Sequence, residues 1–130
     1  MGANTKAYEE ALKKISGAVN ANENLNQYKF VVRGAGTGMF ALCTASNTGV
    51  DGVLQDDPQA TGYVGLIGIS GVTKIVVGSA GITDGDEGMC DSAGCVTTTT
   101  GGGNISQGKA LGTGASGAII PFLLKPRNTT

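Results

Sequence analysis

The sequence predicts an all-β domain, a small barrel or sandwich of eight to nine short strands, preceded by an N-terminal arm with a short helix. Three observations carry this. Glycine fills 23 of 130 positions, and all but Gly2 and Gly17 lie beyond Arg33. The glycines separate short runs rich in Val, Ile, Thr and Phe, the residues that fit a pleated surface. Helical periodicity occurs only once, near the N-terminus.

That helical signal spans residues 4–19. Tyr8, Leu12, Ile15 and Val19 recur at spacings of four, three and four, which places them on one helix face. Glu9 with Lys13 and Glu10 with Lys14 add two i,i+4 pairs in the favourable order. Asn4 or Thr5 supplies a cap, and Gly17 permits an end. The stretch Asn20-Ala21-Asn22-Glu23-Asn24-Leu25-Asn26-Gln27 reads as an irregular linker, because its asparagines compete for backbone hydrogen bonds. The chain thus divides into an arm, residues 1–27, and a β domain, residues 28–130.

Strand-like runs follow at Tyr28–Arg33, Met39–Ala45, Gly52–Gln55, Tyr63–Ile69, Val72–Val77, Gly88–Cys90, Val96–Thr100, Ala110–Gly112 and Ala118–Leu124. Turn signals stand between them, among them Asp56-Asp57-Pro58, Asp84-Gly85-Asp86 and Asp91-Ser92-Ala93-Gly94. Pro121 lacks a ladder donor and predicts an edge position, or the first residues of a strand, for the last run. Gly62, Gly65, Gly68 and Gly71 recur every third residue and predict a sharp bend or, failing that, a close approach by a neighbouring backbone. Phe30, Val32, Phe40, Val64, Ile67, Ile75, Val77, Phe122 and Leu124 are the expected core.

Composition narrows the function. Nine basic and ten acidic residues leave a net charge of −1, without the basic face of a nucleic-acid binder. No apolar run approaches the length of a membrane span, and the N-terminus has no apolar signal segment. Leu, Ile, Val and Phe make up about 22% of the chain, just above the roughly 20% below which chains tend to stay disordered. Each glycine adds ordering entropy and no packing. The isolated subunit is therefore modestly stable, and burial against other subunits is expected to complete it.

Chemistry-bearing motifs are sparse. Gly34-Ala35-Gly36-Thr37-Gly38 follows a strand but leads into another strand, so no helix N-terminus receives a phosphate, and it reads as a turn. Gly68-Ile69-Ser70-Gly71 lacks the last glycine of a nucleophile elbow, and the chain has no histidine. Ser70 and Lys74 are four residues apart on a strand, about 13 Å along it, too far for a nucleophile and its base. The carboxylates of Asp56-Asp57 and Asp84-Gly85-Asp86-Glu87 lack the further oxygens of a calcium loop and read as solvated turns. Cys43, Cys90 and Cys95 do not have zinc spacing. A Cys90–Cys95 disulfide requires Cα atoms within about 7 Å across a turn, and reduced thiols filling the core are the simpler expectation. No catalytic residue, cofactor or metal site is expected.

From Gly52 onward, the ordered set Gly52-Val53-Leu54-Gln55-Asp56-Asp57-Pro58, Gly71-Val72-Thr73-Lys74-Ile75-Val76-Val77, Ile82-Thr83-Asp84-Gly85-Asp86, Asp91-Ser92-Ala93-Gly94-Cys95-Val96, Gly108-Lys109-Ala110-Leu111-Gly112 and Ile119-Ile120-Pro121-Phe122-Leu123-Leu124 resembles the bacteriophage capsid decoration, or cement, protein family. The resemblance covers roughly residues 28–125. It implies a non-enzymatic virion protein, made in the host cytoplasm, that sits on the outer capsid surface. Its implied partner is the major capsid protein, and its implied state is a homotrimer that contacts neither nucleic acid nor membrane. In such proteins an N-terminal arm orders against the shell, which makes Tyr8, Leu12 and Ile15 the candidate capsid or intersubunit contacts. A helical stripe departs from a plain extended arm. The alternative is a ligand- or carbohydrate-binding β module on a virion or cell surface, a thin case with six Phe and Tyr and no Trp.

Overall fold

The computed structural model describes residues 10–19, 26–34, 38–56, 58 and 61–125. Nine strands occupy them: β1 Glu10–Ala18, β2 Phe30–Arg33, β3 Phe40–Leu42, β4 Gly52–Leu54, β5 Val64–Val76, β6 Glu87–Cys90, β7 Val96–Thr98, β8 Gly108–Ala110 and β9 Ile119–Leu124. They join one antiparallel sheet in the order β3-β2-β4-β5-β9-β8-β6-β7, with β1 added on β5. The sheet curls into a half-barrel. The all-β expectation holds, and no helix occurs among the described residues.

The first correction falls at the N-terminus. Residues 10–18 form a strand instead of the second half of a helix, paired to β5 from Glu10↔Val72 to Ala18↔Val64. Alternation then splits the supposed stripe between two faces. Leu12 packs over Gly68, while Val19 is fully buried with Phe40 and Ile67. Gly17 lies under the Phe40 ring, where a side chain would collide. Two exposed ion pairs are worth about 0.2–0.5 kcal/mol each in a helix, whereas burying Val19 contributes about 1.5–3 kcal/mol. Tertiary packing wins. The residues expected as helix before Glu10 lie outside the described residues.

The second correction concerns β5, a single strand of 13 residues where two were expected. Gly68 pairs with both Lys14 and Val53, and Val72 with both Glu10 and Leu123. One edge of β5 therefore carries β1, and the other carries first β4 and then β9. The glycine series makes this possible. Gly65 and Gly68 are overlain by side chains of neighbouring segments, and Gly71, at φ 102°, lies where the β4 contact gives way to β9. The atoms that crowd Gly65 and Gly68 belong to side chains, not to the neighbouring backbone that the series predicts.

Pro121 supplies the third. It sits inside β9, between β5 and β8, opposite Lys74. Its carbonyl accepts the Leu111 N–H at 2.9 Å, and its nitrogen points the same way. The β8 ladder ends at Ala110↔Phe122, so the missing donor falls just past it. An interior strand tolerates proline here.

Two hydrophobic clusters lie on opposite faces of β2 and β4. Adjacent residues alternate between them: Phe30 and Val53 belong to the larger cluster, Val31 and Leu54 to the smaller. In the larger one Phe30 and Phe122 meet edge to face at 6.0 Å between centroids, packed with Ile75, Val96, Ile120 and Leu124. Of the expected core, Val32 is half-buried and Val64 is 67% exposed. Val64 is the one outright error there: it begins β5, opposite Ala18, with its side chain exposed.

Candidate interaction surface

Most polar groups that drew attention in the sequence serve the backbone. Asp51 Oδ2 accepts the Arg33 N–H at 2.7 Å. Asp56 Oδ1 accepts the Leu66 N–H at 3.2 Å. Asp86 Oδ2 accepts the Thr98 hydroxyl at 3.0 Å and the Thr83 N–H at 3.3 Å. Asp91 Oδ1 accepts the N–H groups of Ala93 and Cys95 at 2.8 and 2.9 Å, closing the β6–β7 turn. Carboxylates bound this way are turn caps. Among the described residues, no three His, Cys, Asp or Glu side chains are grouped to hold a metal ion. Lys74 lies over the Tyr28 ring, 5.5 Å from its centroid, a cation–π contact that anchors the start of β2.

The apolar surface is more informative. On one face of the β1–β5 ribbon, Val64 pairs with Ala18 and Leu66 with Ser16; Val64 and Leu66 are exposed, as is the preceding Tyr63. On the other face, an open groove of about 450 Å³ is lined by Lys13, Ile15, Arg33, Phe40, Asp51, Ile69 and Ser70. Ile15 is 38% exposed there. Of the three contacts expected from sequence, Ile15 thus borders a groove, Leu12 is half-buried over Gly68, and Tyr8 lies outside the described residues. The structure does not bring Leu12 and Ile15 into one stripe.

A second apolar strip runs along β9. Ile119 pairs with Val76 and Leu123 with Val72, and Ile119 and Leu123 are exposed. Leu123 also borders a shallow groove with Glu87, Gly108, Lys109 and Lys125. Sequence reasoning missed Tyr63, Val64, Leu66, Ile119 and Leu123. Their signal was available in part: β9 reads Ile119-Ile120-Pro121-Phe122-Leu123-Leu124, apolar at every position, which leaves one face without a polar residue to meet water. Exposed apolar strips rimmed by charge mark contact surfaces.

No family model matches this chain, and no curated protein does. A solved structure does match in fold: the crystal structure of the head fiber gp8.5 N base in bacteriophage phi29 superposes with a TM-score of 0.65, covering 87% of this chain and 95% of that one, at 18% sequence identity. At that identity the likeness establishes the fold.

Proposed function

We propose that this protein is a structural, non-enzymatic component of a phage virion. It binds the outer capsid surface as a homotrimer and cements neighbouring copies of the major capsid protein. The observation that supports this best is the fold shared along nearly the whole of a phage head fiber base, in a chain whose ordered motifs resemble capsid decoration proteins. Two exposed apolar strips on a half-barrel rich in glycine fit a subunit completed by its neighbours. Near-neutral charge suits many copies packed on one shell. Three copies holding adjacent capsomers would gain avidity from contacts that are weak singly. The face of the β1–β5 ribbon that carries Val64 and Leu66 is the contact surface proposed here, alongside the candidates Tyr8, Leu12 and Ile15.

The test is mass in solution, followed by co-sedimentation with purified expanded capsids of the source phage. A trimer that pellets saturably with capsids is the expected result. Leu66→Asp changes an exposed side chain, a class of substitution that usually alters stability by less than about 0.5 kcal/mol, and should abolish pelleting while leaving the circular dichroism spectrum intact. A monomer that stays in the supernatant would overturn the proposal. The cementing role has its own readout: capsids carrying the protein should release DNA at a higher temperature than bare ones.

A further inference from the structure

The two ends of the curled sheet meet without a strand ladder. β3 lies at one end of the strand order and β6–β7 at the other, and the seam is held by scattered bonds. The Phe30 N–H donates to the Gly94 carbonyl at 2.8 Å, and the Ile105 N–H to the Ser46 carbonyl at 2.9 Å. Gln107 accepts the Val50 N–H and donates to the Thr48 carbonyl. Ser46 and Asn104 bond at 2.6 Å. Two cysteines face each other in this seam: Cys43, just past β3, and Cys90, at the end of β6. Both are buried and reduced. The Cys90 thiol donates to the Cys43 carbonyl at 3.3 Å, which sets the two residues side by side. Cys95, five positions beyond Cys90, instead turns its thiol toward the Ala93 carbonyl at 3.8 Å.

We propose that Cys43 and Cys90 form a disulfide across the seam when the protein meets a small disulfide oxidant, closing the half-barrel covalently. Cys90 borders a groove lined also by Thr44, Ala45, Met89, Asp91 and Ser92, and the oxidant reaches the buried Cys43 when the seam beside it opens. The Cys43 thiolate attacks one sulfur of the oxidant, and one oxidant thiolate leaves. Cys90 then gives up its proton and attacks the Cys43 sulfur of the mixed disulfide, and the second oxidant thiolate leaves. Two protein thiols are oxidised, and one small disulfide is reduced to two thiols. With the Cys90 sulfur already against the Cys43 backbone, side-chain rotation is what brings the sulfurs to the S–S bond length of about 2.05 Å. The bond would span a separation of 47 residues and tie the two ends of the sheet, so it restricts the unfolded chain strongly.

The experiment treats the full-length Cys95→Ser protein with excess hydroxyethyl disulfide. Intact mass should fall by two hydrogens, thiol titration should fall from two free thiols to none, and the melting midpoint should rise by about 10 °C. Dithiothreitol should reverse all three changes. The Cys43→Ser protein should form no intramolecular disulfide. Two lasting free thiols in the Cys95→Ser protein, a dimer linked through sulfur, or a Cys90–Cys95 bond in the Cys43→Ser protein would each overturn the assignment. Should Cys43→Ser fail to fold, the Cys95→Ser protein alone decides.

Discussion

Gly88→Ala tests whether the larger core is as closely fitted as its geometry indicates. Gly88 lies in β6, paired with Thr98 on one side and Gly108 on the other. A methyl group there would stand 2.5 Å from Val96 Cγ2 and 2.8 Å from Phe122 Cε1, well inside ordinary contact. Neither neighbour can retreat easily, since both are fully buried and Phe122 is held edge-on by Phe30. Overpacking of this kind costs about 1–3 kcal/mol. Replacing glycine by alanine recovers about 0.4–1 kcal/mol from the unfolded chain. The net expectation is a loss of about 0.5–2 kcal/mol, several degrees in melting midpoint for a domain of this size. Urea titration followed by circular dichroism measures it. The internal control is Gly101→Ala, which meets nothing within 4 Å and should be neutral or slightly stabilising. Val96→Ala opens space beside the new methyl, so in that background Gly88→Ala should cost less, with a coupling of about 0.5–3 kcal/mol. If Gly88→Ala is as stable as Gly101→Ala, the close fit is wrong.

The other perturbations read different parts of the molecule. Asp91→Ala removes the acceptor of two turn N–H groups and should cost about 1–3 kcal/mol by urea titration, whereas Asp91→Asn keeps an acceptor and should cost less. Val19→Ala removes a fully buried side chain that locks β1 against Phe40 and Ile67; a loss of about 1–3 kcal/mol is expected, and faster hydrogen exchange in β1 should accompany it. Thiolate absorbance should report the cysteine pair. The Cys90 hydrogen bond draws the Cys43 thiol down from 9.0 to about 6, while the same contact and burial push Cys90 up. Absorbance near 240 nm should therefore rise with a midpoint near pH 6, and Cys43→Ser should abolish that step. With Cys43 depressed in the folded state, its contribution to stability is full above the unfolded value near 9 and is lost as pH falls through about 6. Cys90 has the opposite sign, since its stabilisation is present below its unfolded value near 9 and declines at higher pH.

The sheet was legible because its determinants are local. Seven of the nine strands fall within or across the β-branched runs between turn residues, and Phe30, Ile75, Phe122 and Leu124 are buried as their alternation indicates. What escaped is what depends on partners distant in sequence. Residues 10–18 satisfy the spacing of a helix and of a strand alike. The choice is made by Phe40 over Gly17 and by the free edge of β5, neither visible within a short window. Pro121 looked like an edge residue because its tolerance rests on where β8 stops. The buried, reduced cysteines are as expected, but the nearness of Cys43 to Cys90 escaped for the same reason: it arises from closure of the curl and not from proximity along the chain. The candidate surface follows this logic one step further. Val64, Leu66, Ile119 and Leu123 have the residue types of a core, and a single chain's alternation gives no sign of whether water or another subunit covers them. Among the described residues all four are exposed, and the proposed assembly would bury them. Burial of Leu66 and Leu123 on trimer formation or capsid binding is therefore the quantity by which the proposal stands or falls.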